Sequence, residues 1–569
     1  MNSIVSKIKA LSGFTPETVA SLYDELEQMP LTNPDEVAQM LLEWSAVEEA
    51  LGEAHAQRYI EFCQNTGDEM LRQRLDYFIE EVEPVAEEAN FRLNSRIMSH
   101  QEAKQYVEQN AVEFFRQIKR RIELFRKDNV TIQAEADILA QQFSELSGEL
   151  SIDYNGQVLT MEEAGALLEG TNRAEREKVY HLMLNRRTSI SNKLHGLMDE
   201  LLKLRYRIAI NAGFKNYRDY RHFEMERFDY TVADVVSLQG AIQQHFVPLA
   251  DRVMIRRKQR LGYDELMPWD LATDTESREP LRPFNSAIEL IEKGRETLNL
   301  VDSRCGQLLD EMSSSGHLDL ETRDKKAPGA FSFSLPQSKA SFLFMNAAFT
   351  HDDVITLMHE MGHAVHDKLC SHYPYHFQKN FPMEVAELAS MSMEVISSAF
   401  WQPFYPNPSD LNRARVTLIE GVALALPWIA AVDEFQHWLY THPEHSQYER
   451  DSAWTRIYKQ YANHEVSYVG VEEAFVFAWQ RQTHIFEEPF YYIEYAIAQL
   501  GALEMWMQFQ QEGSAALQRF FNALAIGGNY SMTEIYKQAR LDFSFSEIRI
   551  AKLAKFLDEQ LEEAYSSER

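Results

Sequence analysis

Helix-forming patterns run through almost the whole chain, and they constrain its fold more than any other feature. Residues 15–17 (Thr-Pro-Glu) and 33–35 (Asn-Pro-Asp) each combine a capping side chain, a proline at the first helical position and an acid in the first turn. After these starts, apolar residues recur at helical spacing with charged residues between them, as they do from Val107 to Phe125. The sequence therefore predicts a predominantly α-helical protein.

Strand-forming patterns occur only in short segments. Residues 151–160 predict a small hairpin that turns at the Asn-Gly pair inside it. Residues 330–335 and 340–345 collect β-favouring side chains on either side of Pro336. These two segments predict strands that lie just before the helix described below.

The first 190 or so residues carry no chemical motif, so we place a domain boundary near residue 190. Residues 1–190 are then an N-terminal helical lobe. Residues 191–569 form the domain that carries the chemistry.

Composition excludes some classes of protein and of partner. Of the 569 residues, 45% are hydrophobic and 12% aromatic, which is typical of a chain with a folded core rather than a disordered one. The formal net charge of −31 repels phosphate backbones, so we expect no nucleic-acid partner. Three widely separated cysteines cannot build a disulfide framework.

Two segments bear on where in the cell the protein is located. Residues 1–19 lack the continuous apolar core of a signal peptide. Residues 421–432 form the most apolar internal stretch, but a bilayer needs about 20 such residues and Pro427 interrupts this one. We therefore expect no membrane partner and a cytoplasmic protein.

A His-Glu-x-x-His motif lies in residues 350–369, which also read as a helix. His359 and His363 are one helical turn apart, so both imidazoles can face one metal ion. Glu360 lies beside them, where its carboxylate can reach a water on the metal ion rather than the ion itself. Two neutral nitrogen ligands, an open position and a nearby base suit zinc. Gly362 costs a helix interior about 1 kcal/mol relative to alanine, which makes sense if another element approaches closely there.

A third metal ligand must come from outside this motif or from its end. His366 is one candidate, although three ligands on one helix surround an ion poorly. Glu387 is the better candidate, because the 24 residues after His363 leave room for a loop and a second helix. Glu394 lies two turns further along the same face, where its carboxylate could orient a ligand imidazole.

A second group of polar residues lies far downstream, in residues 484–496. Hydrolysis of an amide needs hydrogen-bond donors for the oxyanion of the tetrahedral intermediate, and His484 with the hydroxyls of Tyr492 and Tyr495 can supply them. The alternative, an aromatic helix packed into the core, stays open on composition alone.

Together these segments resemble the oligoendopeptidase F and thimet-oligopeptidase type of zinc metallopeptidase. The resemblance rests on HEMGHAVH at 359–366, AELASMSME at 386–394 and HIFEEPFYYIEYA at 484–496. GFKNYRDY at 213–220, MPWD at 267–270 and the stretch from GAFS to the metal motif at 329–360 support it. The Glu-Glu-Pro at 487–489 replaces the glycine-rich segment of the thimet branch, so the chain is more similar to the oligoendopeptidase F side.

The resemblance implies a fold and an activity. The fold would be mostly α-helical, with two lobes around a deep substrate channel and a small β-sheet at the active-site cleft. The activity would be zinc-dependent cleavage of internal bonds in short, unfolded peptides. By motif position, His359, His363 and Glu387 would hold one Zn²⁺ per chain, Glu360 would act as the base, and His484, Tyr492 and Tyr495 would contact the substrate or its oxyanion.

Two other functions remain open from the sequence. Two Glu-x-x-His pairs, Glu360 with His363 and Glu434 with His437, also occur in helical di-iron carboxylate proteins. A helical scaffold that binds peptides without cutting them would show helices and a cleft similar to those of a peptidase.

Overall fold

Helices make up most of the structure, as the sequence predicts. This computed structural model describes residues 4–11 and 13–567, and within those residues it has 27 α-helices and five β-strands. The chain begins with eight helices: α1 Ile4–Ile8, α2 Pro16–Gln28, α3 Pro34–Gln64, α4 Glu69–Tyr77, α5 Glu83–Ser99, α6 Gln101–Asn110, α7 Val112–Leu124 and α8 Lys127–Gly148.

A hairpin and eight further helices follow. They are β1 Ser151–Tyr154, β2 Gln157–Thr160, α9 Met161–Leu167, α10 Arg173–Thr188, α11 Ser191–Asn211, α12 Tyr217–Glu224, α13 Val232–His245, α14 Val247–Leu261, α15 Ala287–Val301 and α16 Ser303–Ser314.

The remaining elements include the second sheet and the motif helix. They are β3 Leu318–Glu321, β4 Phe331–Leu335, β5 Ala340–Ala347, α17 His351–Cys370, α18 His376–Lys379, α19 Met383–Ser397, α20 Pro408–Thr441, α21 Gln447–Tyr461, α22 Glu472–Val476, α23 Thr483–Phe486, α24 Ile493–Glu512, α25 Ser514–Leu524, α26 Met532–Gln538 and α27 Glu547–Ser566.

The first long helices start where their capping residues predict. The side chain of Thr15 accepts a hydrogen bond from the Thr18 backbone N–H ahead of α2. Asn33 does the same for the Glu36 N–H ahead of α3, at 3.1 Å. Each cap pairs one of the backbone donors that a helix leaves free at its start, so both starts are set by local chemistry.

The two sheets are small. β1 and β2 pair antiparallel, and Asn155 and Gly156 both have positive φ, so the predicted hairpin is confirmed. The second sheet has the order β3-β5-β4, with β4 antiparallel and β3 parallel to β5. The sequence predicts β4 and β5 correctly but misses β3. β5 ends four residues before α17 begins, so this sheet leads directly into the motif helix.

Apolar side chains form two large clusters. One joins residues from 4 to 118 with Phe377 of α18, which stacks on Phe114 with ring centroids 4.0 Å apart. The other extends from Leu124 to Tyr565 and contains the buried faces of α17, α19, α20 and α24. The short helix α18 therefore ties the N-terminal helices to the rest of the protein. The domain boundary near residue 190 stays a prediction.

The prediction that Pro427 interrupts the apolar stretch at residues 421–432 is wrong. Pro427 lies inside α20, which continues through it for 34 residues in all. Among the described residues, α20 is the one helix long and apolar enough to cross a membrane by length and composition, but 72% of its most apolar window is buried inside the protein. α20 is therefore a core helix, and it continues through Pro427 although proline removes one hydrogen bond from the helix interior.

Candidate active site

The loop between β5 and α17 is held by one carboxylate. Asp353 Oδ2 accepts hydrogen bonds from the backbone N–H of Thr350 at 2.7 Å and of Ala348 at 3.0 Å. Phe349 between them adopts a φ of 66°, an uncommon value for a residue with a side chain. These bonds fix the start of α17, and thereby the direction in which its metal-motif face points.

α17 and α19 lie against each other at Gly362. A Cβ atom built at Gly362 would be 2.4 Å from Ser390 Cα and 2.8 Å from Ala389 O. Any larger residue would overlap the backbone of α19, so the close approach expected at this glycine is confirmed. This contact brings Glu387, in the second turn of α19, next to His363.

Three potential metal-binding atoms meet at this junction. His359 Nε2 lies 3.2 Å from His363 Nε2 and 3.3 Å from Glu387 Oε2, and His363 Nε2 lies 3.5 Å from the same oxygen. A tetrahedral zinc site with bonds of about 2.0–2.1 Å separates neighbouring ligand atoms by about 3.3 Å. The donor set and its spacing therefore fit one zinc ion. Within the described residues no other group of three His, Cys, Asp or Glu side chains converges in this way.

Neighbouring groups orient and charge these donors. His359 Nδ1 lies 2.6 Å from Glu394 Oε1, the contact that the spacing along α19 predicts. Burial raises the pKa of Glu387, but His363 and His359 together lower it to about 2, so the carboxylate is ionised. Burial lowers the pKa of His363 to about 4, so this imidazole is neutral. Burial lowers the pKa of His359, but Glu387 and Glu394 raise it by more, so it lies well above the usual value and a proton competes with a metal ion for Nε2.

Glu360 follows His359 in the chain and is not one of the three converging donor residues. It is 4% exposed, and its Oε2 has no hydrogen-bond partner among the described residues. Burial is the largest influence on its pKa and raises it to about 8. A buried carboxyl group with a free oxygen is suited to exchange a proton with a small molecule rather than to support the fold.

The downstream aromatic segment reaches the same site. His484 Nε2 lies 3.1 Å from the Tyr495 hydroxyl, and its Nδ1 lies 2.9 Å from Gln482 Nε2. Burial lowers the pKa of His484 to about 4, so this imidazole is neutral. The Tyr492 hydroxyl instead accepts a hydrogen bond from Trp428 Nε1 at 3.1 Å. Of the two tyrosines, Tyr495 is the one that contacts His484 through its hydroxyl.

The carboxylates at the metal-binding group also act on the pKa of Tyr495. Burial raises its pKa above the usual value, and the carboxylates of Glu387 and Glu360 raise it further. Burial raises the pKa of Tyr492 to about 12, and Trp428 opposes that rise. A Tyr495 hydroxyl that stays protonated beside these groups is available as a hydrogen-bond donor.

Sequence reasoning missed Tyr491. Its hydroxyl donates a hydrogen bond to Glu387 Oε1, and its ring stacks on His484 with centroids 5.5 Å apart. Helical spacing does not reveal this contact, because α24 begins only at Ile493 and Phe490 has a φ of 67°. The one available signal was the position of Tyr491 within the motif at 484–496.

Two other candidates lie apart from the site. His366 is buried with its ring stacked on Phe381 at 3.5 Å, and it is not among the converging donors. Glu434 accepts a hydrogen bond from Tyr461, and His437 lies against Asp433. The second Glu-x-x-His pair therefore adds no metal-binding group in the part of the chain that the structure describes.

Known families match the chain over most of its length. A model described as Peptidase family M3 matches residues 166–554, and one described as Peptidase M3 N-terminal domain matches residues 16–125. Oligopeptidase PepF of Bacillus subtilis is 22% identical over 417 residues, which cover 72% of this chain and 60% of that protein. Oligopeptidase A of Escherichia coli is 24% identical over 418 residues, 60% of each chain. The chain thus spans about 60% of the length of these two relatives.

Solved structures share the fold. A structure titled PZ peptidase A with inhibitor 2 superposes with a TM-score of 0.91 at 24% identity, over 98% of this chain and 97% of that one. Oligoendopeptidase-F from Enterococcus faecium superposes with a TM-score of 0.67 at 17% identity, over 97% of both chains. The predominantly helical architecture with two small sheets is therefore that of these proteins.

Proposed function

The chain belongs to peptidase family M3, and on this basis we propose that it is a zinc-dependent peptidase that cleaves internal bonds of short, unfolded oligopeptides. One observation carries the proposal. Three donor atoms, from His359, His363 and Glu387, are spaced like ligands of a tetrahedral zinc ion, and an unpaired buried carboxyl group lies beside them.

His359, His363 and Glu387 would hold one zinc ion, with Glu394 fixing the orientation of the His359 ring. When bound, the ion would polarise the scissile carbonyl and acidify a water molecule. In its ionised form, Glu360 would accept a proton from the attacking water at Oε2, which is buried and has no hydrogen-bond partner among the described residues. The same oxygen then delivers the proton to the leaving amine of the cleaved peptide.

Neutral donors from the downstream motif would stabilise the charge that develops on the substrate. The Tyr495 hydroxyl is within hydrogen-bond distance of His484 Nε2, so the two groups can share the task of donating to the oxyanion. The Tyr492 hydroxyl accepts from Trp428, which leaves its own proton free to donate to the substrate. These assignments give each residue of the downstream motif a role that its contacts allow.

An extended peptide has a docking edge beside the site. Among the described strands β4 pairs only with β5, so one side of β4 is an edge, and β5 leads directly into α17. A peptide strand can add to such an edge through main-chain hydrogen bonds, largely independently of its sequence. This mode of binding suits a substrate that is unfolded and short.

Partners, location and domain roles follow from the same proposal. We propose peptides as the substrates, no nucleic-acid or membrane partner, and a cytoplasmic location; the net charge of −31 and the burial of α20 support this. We also propose that residues 1–190 form the N-terminal lobe and 191–569 the catalytic domain, since all the site residues named above follow residue 350.

The test is Glu360→Gln, assayed on an internally quenched peptide of about ten residues and by zinc content. We expect the variant to keep its zinc and to lose at least about a hundredfold in kcat, because a glutamine cannot accept the water proton. Addition of a chelator to the wild-type protein should abolish cleavage, and added Zn²⁺ should restore it.

Glu434→Gln is the matched control, because it changes the glutamate of the other Glu-x-x-His pair, which binds Tyr461 away from the site. It should retain the wild-type rate. If the wild-type protein binds peptides without cutting them, or if Glu360→Gln cuts at the wild-type rate, the proposed function is wrong.

A further inference from the structure

The carboxylate of Glu387 has two oxygens with different partners. Oε2 faces the imidazoles of His359 and His363 and also accepts a hydrogen bond from Ser390 Oγ at 3.1 Å. Oε1 points the other way and accepts a hydrogen bond from the Tyr491 hydroxyl. A carboxylate held at Oε1 cannot rotate freely about its side-chain bonds, so Oε2 stays directed at the imidazole pair.

The backbone just before Tyr491 has an unusual conformation. Phe490 has a φ of 67°, although it is not a glycine, and its side chain is 2% exposed. Left-handed backbone at a bulky residue persists only where surrounding contacts impose it. Because the next residue is Tyr491, this conformation decides where the Tyr491 ring and hydroxyl lie.

Two buried side chains hold both backbone groups of Phe490. Gln436 Oε1 accepts a hydrogen bond from the Phe490 N–H at 2.7 Å, and Arg227 Nη2 donates one to the Phe490 carbonyl at 2.5 Å. Arg227 Nη2 also donates to Glu494 Oε1 at 2.8 Å, so the guanidinium is itself anchored to the start of α24. We call Gln436 and Arg227 the Phe490 clamp.

Among the described residues, the polar atoms of Gln436 make one hydrogen bond. Gln436 is fully buried, and its Nε2 has no hydrogen-bond partner among the described residues. Burying an amide with one end unpaired costs free energy, so such a residue is favoured only where the bond at its other end is needed. For Gln436 that bond is the one to the Phe490 N–H.

From this chain of contacts we propose that Tyr491 is a positioning residue for the metal-binding carboxylate of Glu387, and that the Phe490 clamp holds Tyr491 in place. The inference rests on the proposed function, because it assumes that Glu387 is a zinc ligand. It assigns a role to Tyr491, which contacts Glu387, and to the Phe490 clamp, which contacts the backbone beside Tyr491.

The main test is Tyr491→Phe, with affinity for Zn²⁺ alone measured on the metal-free protein by competition with a chromophoric chelator. The substitution removes one hydroxyl and keeps the ring that stacks on His484. We expect zinc affinity to fall about 10- to 100-fold and zinc release to accelerate, as happens when a partner of a metal ligand is lost. The melting temperature of the metal-free protein should change little.

A double-mutant cycle tests the clamp. Gln436→Met, which removes the acceptor at similar size, should weaken zinc binding by less than Tyr491→Phe does. In the Tyr491→Phe background, Gln436→Met should have no further effect on zinc affinity, because the clamp would act only through the missing hydroxyl. If the losses of zinc affinity from the two substitutions add up, the proposed role of the clamp is wrong. If Gln436→Met fails to fold, Arg227→Lys takes its place in the cycle.

Tyr565→Phe is the matched control, since the Tyr565 hydroxyl donates to a buried glutamate, Glu420, at 2.8 Å. It should leave zinc affinity unchanged. If the wild-type protein binds zinc and Tyr491→Phe binds it equally well, the inference is wrong while the proposed function stands. If the wild-type protein binds no zinc, both are wrong.

Discussion

The contact between α17 and α19 at Gly362 allows a quantitative prediction for Gly362→Ala. The added methyl carbon would lie 2.4 Å from Ser390 Cα, whereas carbon atoms need about 3.5–4.0 Å. Because the atoms it meets are backbone atoms of α19, they cannot rotate away, and the two helices must separate locally by about 1 Å. Overpacking of this kind costs about 1–3 kcal/mol, against about 1 kcal/mol gained from the helix propensity of alanine.

The same displacement should disturb the metal-binding group. His363 follows Gly362 by one residue, and Glu387 lies one turn before Ser390. Their donor atoms are 3.5 Å apart. A further separation of about 1 Å would increase this distance to about 4.5 Å, well beyond the spacing of about 3.3 Å that tetrahedral zinc requires. We therefore expect Gly362→Ala to lose up to about 2 kcal/mol of stability and at least about tenfold in zinc affinity.

The assays are urea unfolding of the metal-free protein, followed by circular dichroism, and zinc competition with a chelator. Gly421→Ala is the control, because Gly421 lies in α20 with nothing within 4 Å of a built Cβ. That variant should be more stable by about 0.5–1 kcal/mol and should bind zinc normally. If Gly362→Ala matches the wild type in both stability and zinc affinity, the contact does not set the distance between His363 and Glu387.

Two further predictions concern other carboxylates. Glu394→Gln removes the charged acceptor at His359 Nδ1 and should weaken zinc binding about 10- to 100-fold; unchanged binding would show that the 2.6 Å contact does not orient the ring. Burial, with Glu488 adding to it, raises the pKa of Glu487 to about 7, although Ser144 donates to it. The folded protein then holds a proton that the unfolded chain releases at lower pH, so stability should fall as pH rises from about 4.5 to 7. Glu487→Gln should flatten that part of the stability profile, and an identical slope in the variant would contradict the assignment.

Local sequence chemistry accounts for the starts of α2 and α3 and for two of the three metal-binding side chains. The caps at Thr15 and Asn33 satisfy backbone donors within three residues, so no distant contact is needed to define them. His359 and His363 share a face because they are one turn apart on one helix. Strand β3 escaped prediction because its four residues form a strand only by pairing with β5, which lies about 20 residues further along.

Local rules also failed where burial overrides them. Pro427 reads as a helix breaker, yet α20 continues through it inside the core. Tyr491 was missed because its place depends on Phe490, whose left-handed backbone is imposed by Gln436 and Arg227, residues distant in sequence. Neither outcome can be read from the neighbouring residues, since burial of α20 and the contacts of Gln436 and Arg227 join residues that are distant in sequence.

The amino-acid sequence on its own specifies a helical chain and a helix that presents two imidazoles and a carboxyl group to one side. It does so because helical periodicity and capping act over a few residues. Tertiary packing alone brings Glu387 to within 3.5 Å of both imidazoles and turns Tyr491 towards it. These distances depend on how closely α17 and α19 approach at a glycine, and such an approach is decided by the shapes of both helices together.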